Sequence, residues 1–186
     1  MDAPSVFRLG AGSATVSFRV KWFGIVTVRG RFASVGGLVR VPCNGAEAAE
    51  VTVEVMSESV RTGISLRDRH LRGYRFLDAE RDPFIRFDSD RVRRHDGVWE
   101  LRGRLALRGL TREVSASVLD QASSGNNRRL TADFSIPRRP HAIGTAAGIR
   151  RLNPLLWAIG DDVAIRVELV VPATLLQQVA EHAPAR

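Results

Sequence analysis

Residues Trp99 to Arg108 read WELRGRLALR. Trp99, Leu101, Gly103, Leu105 and Leu107 fall on one side of an extended chain. Glu100, Arg102, Arg104 and Arg108 fall on the other, with only Ala106 among them. Strict alternation of this kind has the period of a strand that buries one face and wets the other. The same period recurs outward from this stretch. SATVSFRVKW sets Ala14, Val16, Phe18, Val20 and Trp22 on one face, and EVTVEVM sets Val51, Val53 and Val55. TREVSASVLD offers Val114, Ala116 and Val118; LTADFSI offers Leu130, Ala132, Phe134 and Ile136; DVAIRVELVV offers Val163, Ile165, Val167, Leu169 and Val171. PFIRFDS is less regular, with Ile85 and Phe87 on one side and Phe84 on the other.

Turn signals separate these runs at Gly36-Gly37, Asn44-Gly45, Asp96-Gly97, Gly109 and Ser124-Gly125-Asn126. Sequential one-sided strands linked by hairpins predict an all-β antiparallel meander. About eight such strands in one domain predict a closed eight-stranded antiparallel barrel, which leaves no free edge. Helix signals are confined to a short segment near residues 66–73, ended by Gly73, and to the tail PATLLQQVAEH, where Leu175, Leu176, Val179 and Ala180 share a face. Residues 1–186 read as one domain, with the barrel over 12–171 and a helical tail over 172–186. The Gly-, Ala- and Pro-rich segment from Arg138 to Asp161 reads as a long irregular connection of the lid or binding-loop type.

The chain has 186 residues, 44% of them hydrophobic, enough for a sizeable core. Its single cysteine, Cys43, excludes an internal disulfide and a cysteine zinc site. No basic n-region followed by an apolar stretch opens the sequence. No run approaches the roughly 18 apolar residues that span a bilayer. A cytoplasmic location is the resulting expectation. The net charge is +8 and arginine dominates it, Lys21 being the only lysine. The outer stripe of Arg102, Arg104 and Arg108 fits a solvated sheet face, and it also allows transient contact with an anionic membrane surface. A single-strand nucleic-acid binder would interleave aromatic residues with such charges, and none stand there, so nucleic acid is not expected.

The inward face is almost wholly apolar. Gly30 and Gly103 interrupt it and leave room, or mark a close approach by a neighbour. Alternation fits either a solid core or an elongated apolar cavity, since both need the same face. Enclosing a hydrocarbon of about 20 carbons would gain roughly 16 kcal/mol before the cost of ordering it.

The stretch SLRDRHLRGYRFLD, residues 65–78, packs Arg67, Asp68, Arg69, His70, Arg72, Arg75 and Asp78 around a few apolar residues. Asp68 and His70 stand two apart among Arg67, Arg69 and Arg72. An acid–base pair, a metal site, an anion cradle and a polar clip holding a helix to the barrel all fit that composition. Catalysis would want a nucleophile and an oxyanion donor beside the pair, and no such pattern accompanies it. A metal would want further ligands, and only His95 and His141 are internal histidines besides His70. No catalytic or metal-binding residue and no cofactor is therefore expected, and the clip is the favoured reading.

The order of motifs resembles the YceI family, lipocalin-like proteins known as polyisoprenoid-binding. SATVSFRVKWFGIVTVRGRF resembles its first two strands, SESVRTG its Ser-Val-x-Thr-Gly segment, and LRDRHL its Arg-Asp-x-His-Leu motif. FLDAERDPFIRFDSDRV, LRGRLALRGLTREV, SIPRRPHAIG and IGDDVAIRVEL follow in the family's order. The resemblance covers roughly Gly12 to Leu169. It implies a lipocalin-like barrel that binds a long isoprenoid-type lipid, a polyprenyl lipid or a quinone, as carrier or storage protein and not as an enzyme. The cavity wall implied is Phe18, Val20, Trp22, Phe32, Phe76, Phe87, Leu105, Leu107, Ile136 and Trp157. Arg67, Asp68, His70 and Arg138 are expected as head-group contacts or as the structural clip. Two readings compete. One is a filled barrel whose arginine face binds an anionic partner. The other is a lipid-processing enzyme using Asp68 and His70. Self-association into a homodimer is compatible with the sequence. The chain departs from the family pattern at Trp22, Ala106, Arg108, Pro137, Pro140, His141 and Ala142, several of them in the loop expected to border the pocket mouth.

Overall fold

The computed structural model describes residues 5–41, 49–95, 98–145 and 158–181. Trp157, Cys43 and the Asn44-Gly45 and Asp96-Gly97 signals lie outside the described residues. Among the described residues, eleven strands form one antiparallel sheet. They are β1 (Ser5–Leu9), β2 (Ala14–Trp22), β3 (Val26–Phe32), β4 (Val35–Val41), β5 (Glu50–Met56), β6 (Val60–Arg61), β7 (Phe84–His95), β8 (Val98–Leu107), β9 (Leu110–Ala122), β10 (Asn127–Pro137) and β11 (Ile159–Pro172). Two α-helices accompany them among the described residues, α1 (Ser65–Arg72) and α2 (Ala173–Glu181).

The count of eleven against the expected eight has a simple cause. The first ribbon bends at residues 10–13, between β1 and β2. The second bends at Ala33 and Ser34, between β3 and β4. The third bends at the single turn Ser57–Ser59, between β5 and β6. Both halves of the first ribbon pair with the second, β1 with β4 and β2 with β3. Both halves of the second pair with the third, β4 with β5 and β3 with β6. From β5 the pairing proceeds through β7, β8, β9, β10 and β11, and returns to β2. The eleven segments are thus eight ribbons in a ring, the closed eight-stranded antiparallel barrel expected of the alternation. Gly36 and Gly37 do not turn the chain. They lie inside β4, opposite Glu54 and Val53, and the corner comes earlier, at Ala33 and Ser34.

Register decides which side chains face inward. Phe18 lies opposite Ile165, Leu101 opposite Ala116, and Leu105 opposite Phe87. The two interior glycines do not leave open space. A Cβ at Gly30 would stand 2.3 Å from Phe18 Cζ and 2.9 Å from Thr62 Cγ2. One at Gly103 would stand 2.3 Å from the Asp88 carbonyl oxygen and 2.6 Å from Phe87 Cζ, beneath an irregularity between Ser89 and Arg91 where β7 slips against β8. Both glycines admit a neighbour, as glycines in strands often do.

The ends of the barrel differ. β6 runs antiparallel to β3, so the chain leaving Arg61 travels toward the β2–β3 hairpin and delivers α1 there. The β8–β9 turn and the segment after β10 lie at the same end. At the other end α2 follows β11 directly and packs against β11 and β4, with Leu175 6% exposed.

Candidate lipid-binding cavity and its mouth

The inward stripes do not meet. They enclose a cavity of about 840 Å³ lined almost entirely by apolar atoms, within the range of ligand sites. Val16, Phe18, Val20 and Trp22 line it from β2, Phe32 from β3, and Phe87 from β7. Leu105 and Leu107 line it from β8 and Ile136 from β10, while Phe76 reaches it from the segment after α1. Every residue expected of the wall within the described part of the chain lies on it; Trp157 lies outside that part. Leu175 and Leu176 of α2 close one end, a role the tail's amphipathic pattern did not disclose. At the other end the lining includes Ile64, Leu66, Arg69, His70 and Tyr74, all of them exposed. The cavity therefore reaches the surface beside α1.

The polar stretch at this mouth is divided between structure and solvent. Asp68 is buried. Its Oδ1 accepts from the Thr62 backbone N–H at 2.8 Å and from the Thr62 hydroxyl. Arg67 completes the arrangement, its Nε donating to Thr62 Oγ1 at 2.7 Å and its Nη2 to the Thr62 carbonyl at 2.9 Å. The clip is built on Thr62, three residues ahead of the helix, and not on donors of the first helical turn or an Asp68–arginine pair. Nothing in the sequence marked Thr62 beyond its place in SESVRTG. His70 does not anchor the helix: it is exposed, and its side chain makes no hydrogen bond among the described residues. Arg72 donates to the Val60 carbonyl at 3.3 Å, while its Nε is buried without a hydrogen-bond partner.

Arg138 is a second pin. It is 4% exposed, and its guanidinium donates to the carbonyls of Gly160 at 3.0 Å, Ile143 at 2.9 Å and Ile159 at 3.0 Å. It thereby ties the start of β11 to residues 143–144. Burial lowers its pKa, nearby Asp161 raises it and Arg139 lowers it. The segment between β10 and β11 begins as a single 3-10 turn, Arg139–His141, and three further side chains hold it. Arg112 Nη2 donates to the Pro140 carbonyl at 3.0 Å. Arg108 donates to the carbonyls of Ala142 and Tyr74. His141, 1% exposed, bonds the Leu107 backbone, and its Nδ1 is buried without a partner. Burial, with Arg112 close by, holds the His141 pKa below its ordinary value.

With Arg67 and Arg138 occupied by oxygens of the protein, the cations left at the mouth are Arg69 and Arg75. Arg69 makes no hydrogen bond or ion pair among the described residues. Arg75 donates its Nε to the Tyr74 hydroxyl at 2.9 Å and lies 5.4 Å from the Tyr74 ring centroid, its terminal nitrogens without partners among the described residues. The arrangement can enclose a long apolar molecule and offer positive charge to whatever polar group remains at the opening.

The comparisons with known proteins agree with this architecture. The family model of the YceI-like domain matches residues 7–171. The UPF0312 protein of Pseudomonas aeruginosa (strain LESB58) is 31% identical over 102 residues, which is 55% of this chain and 53% of that protein. A UPF0312 protein of Yersinia pestis (strain Pestoides F) matches to the same extent. The matched region thus spans about half the length of these relatives. Among solved structures, BcnA of Burkholderia cenocepacia superposes with a TM-score of 0.73 at 21% identity, covering 85% of this chain and 96% of that one. A polyisoprenoid binding domain from Saccharophagus degradans, implicated in plant cell wall breakdown, superposes with a TM-score of 0.70 at 16% identity, covering 91% and 99%. At those identities the superpositions establish the fold, and the family model spans most of the chain: this protein belongs to the YceI-like family.

Proposed function

We propose that the protein binds a long isoprenoid-type lipid, a polyprenyl lipid or quinone, inside the barrel and serves as its carrier or store. The observation that carries this reading is the apolar cavity of about 840 Å³, closed at one end by Leu175 and reaching the surface beside α1 at the other. Such a space, filled with water, would leave a large apolar surface wet, whereas a hydrocarbon chain gains about 0.8 kcal/mol for each CH₂ it buries there. The polyisoprenoid-binding neighbour of the same fold supports the choice of lipid class.

Binding is favoured over catalysis by the state of Asp68. Its carboxylate is buried and engaged with Thr62, a poor position from which to exchange protons with a ligand. The test is mass spectrometry of an organic extract of the protein purified gently from its own host. A stoichiometric prenyl lipid or quinone is the expected result. An empty extract, beside a control lipid-binding protein recovered loaded by the same procedure, overturns the reading.

A further inference from the structure

The β2–β3 hairpin at the cavity mouth has an unusual apex. The Ile25 backbone N–H donates to the Trp22 carbonyl at 3.3 Å, closing a turn over Phe23 and Gly24. Both central residues have positive φ, 51° for Phe23 and 71° for Gly24. Such turns ordinarily take asparagine, aspartate or glycine first, because a bulky side chain there is strained. Here a phenylalanine occupies the position; its ring meets the Trp22 ring edge-on at 4.9 Å, yet Phe23 remains 57% exposed and Ile25 80% exposed. Strain accepted to present an apolar side chain to solvent points to a use on the surface.

The hairpin does not stand alone. Ile64 and Leu66, 53% and 61% exposed, stand at the start of α1, which the direction of β6 places beside this hairpin. Both also line the cavity, as does Trp22 at the hairpin's base. The apolar lining thus continues from the interior onto the rim. The ionisable side chains lining this end among the described residues are Arg67, Arg69, His70, Tyr74, Arg75 and Arg138, with no carboxylate among them. Glu100, the acidic residue on the lining, belongs to the far half of the barrel.

We infer that this rim is a docking surface for a lipid bilayer bearing anionic headgroups, with Phe23 and Ile25 entering the acyl boundary and Arg69 and Arg75 contacting phosphates. Apolar side chains flanked by arginine are the pattern of interfacial binding. The placement is specific, because cargo leaving the membrane would meet apolar surface continuously from the acyl region to the barrel interior. The inference rests on the lipid-carrier reading for its purpose but not for its test.

The test is flotation of the full chain with vesicles of phosphatidylcholine alone or with a third phosphatidylglycerol. The variants are Phe23→Asn combined with Ile25→Thr, and Arg69→Glu combined with Arg75→Glu. The wild type is expected to float with the anionic vesicles. The hairpin variant should partition at least tenfold less while keeping its thermal stability, since asparagine relieves the turn. The arginine variant should lose the preference for anionic vesicles. Three results overturn the inference: a wild type that stays with the soluble fraction, a hairpin variant that floats as well as wild type, and a wild-type dimer in sedimentation that the hairpin variant dissolves, which would make the rim a self-interface. Organic extraction of the same preparations reports cargo separately, so an empty cavity and a failure to dock are distinguishable.

Discussion

The Asp68 carboxylate lies 2.8 Å from the Thr62 backbone nitrogen and accepts its N–H from within the first turns of α1. With the Arg67 bonds to Thr62 and the Arg72 bond to Val60, it ties the helix that borders the cavity mouth to the strand end that precedes it. Asp68→Ala would leave the half-buried Thr62 N–H without its acceptor and is expected to cost about 1 to 3 kcal/mol. Asp68→Asn keeps one acceptor oxygen and should cost less. Urea unfolding of both variants checks the order. If Asp68 is a clip, the Asn variant should also retain any bound lipid, and loss of lipid at unchanged stability would assign the carboxylate to the ligand.

Gly30 faces Phe18 across the β2–β3 pair, and a Cβ there would come within 2.3 Å of the Phe18 ring. Gly30→Ala must therefore displace that ring toward the cavity or bend the strand. A loss of about 1 to 3 kcal/mol is expected, the usual cost of overpacking, together with reduced lipid loading. Thermal denaturation and extraction of the same sample measure both.

What could be read from the sequence, and what could not, divides along physical lines. The inward stripes were legible because a strand's period of two survives in composition, and WELRGRLALR shows it almost without exception. The three corners were not, because residues 10–13, Ala33-Ser34 and Ser57–Ser59 bend ribbons whose alternation resumes on either side. Gly36-Gly37 looked like a turn, yet its neighbours Val35 and Leu38 stay paired with Val55 and Thr52. The wall residues could be named while cavity and solid core remained open, since both place the same side chains inward. The charges of Arg67 and Arg138 were visible; the carbonyls of Thr62, Ile143, Ile159 and Gly160 that occupy them belong to backbone and leave no mark in composition. Arg69 and Arg75, with the same residue type, are distinguished only by what surrounds them.

A cavity and a filled barrel respond oppositely to added volume. Ala132 lies on the cavity wall between Val118 and Val167 of the neighbouring strands. In a solid core Ala132→Leu would overpack and cost about 1 to 3 kcal/mol. With open space before it, the larger side chain should leave the stability of the lipid-free protein unchanged or raise it, while lipid loading falls. Leu105→Arg should abolish loading by setting a charge in the wall. Unfolding curves after delipidation, with extraction from freshly purified protein, separate the two cases.

His141 makes stability depend on pH in a defined window. Its pKa in the folded protein is held below the ordinary 6.5, chiefly by burial, with Arg112 adding to the effect and the Leu107 backbone opposing it. Above pH 6.5 folded and unfolded chains both carry a neutral ring at this position, and it confers no pH dependence. As pH falls through 6.5 the unfolded chain takes up the proton first, so the folded state loses stability progressively until its own lowered pKa is reached. The depressed carboxylates Asp88 and Asp133 act lower: their pKa values lie below the ordinary 3.8, so what they contribute is lost only below that value. The melting temperature should therefore fall between pH 7 and pH 5, before the carboxylates contribute. His141→Phe should be less stable than wild type at pH 7, where it lacks the bond to Leu107, and should show a shallower decline toward pH 5. An equal decline in both proteins would move the origin of the acid sensitivity away from His141.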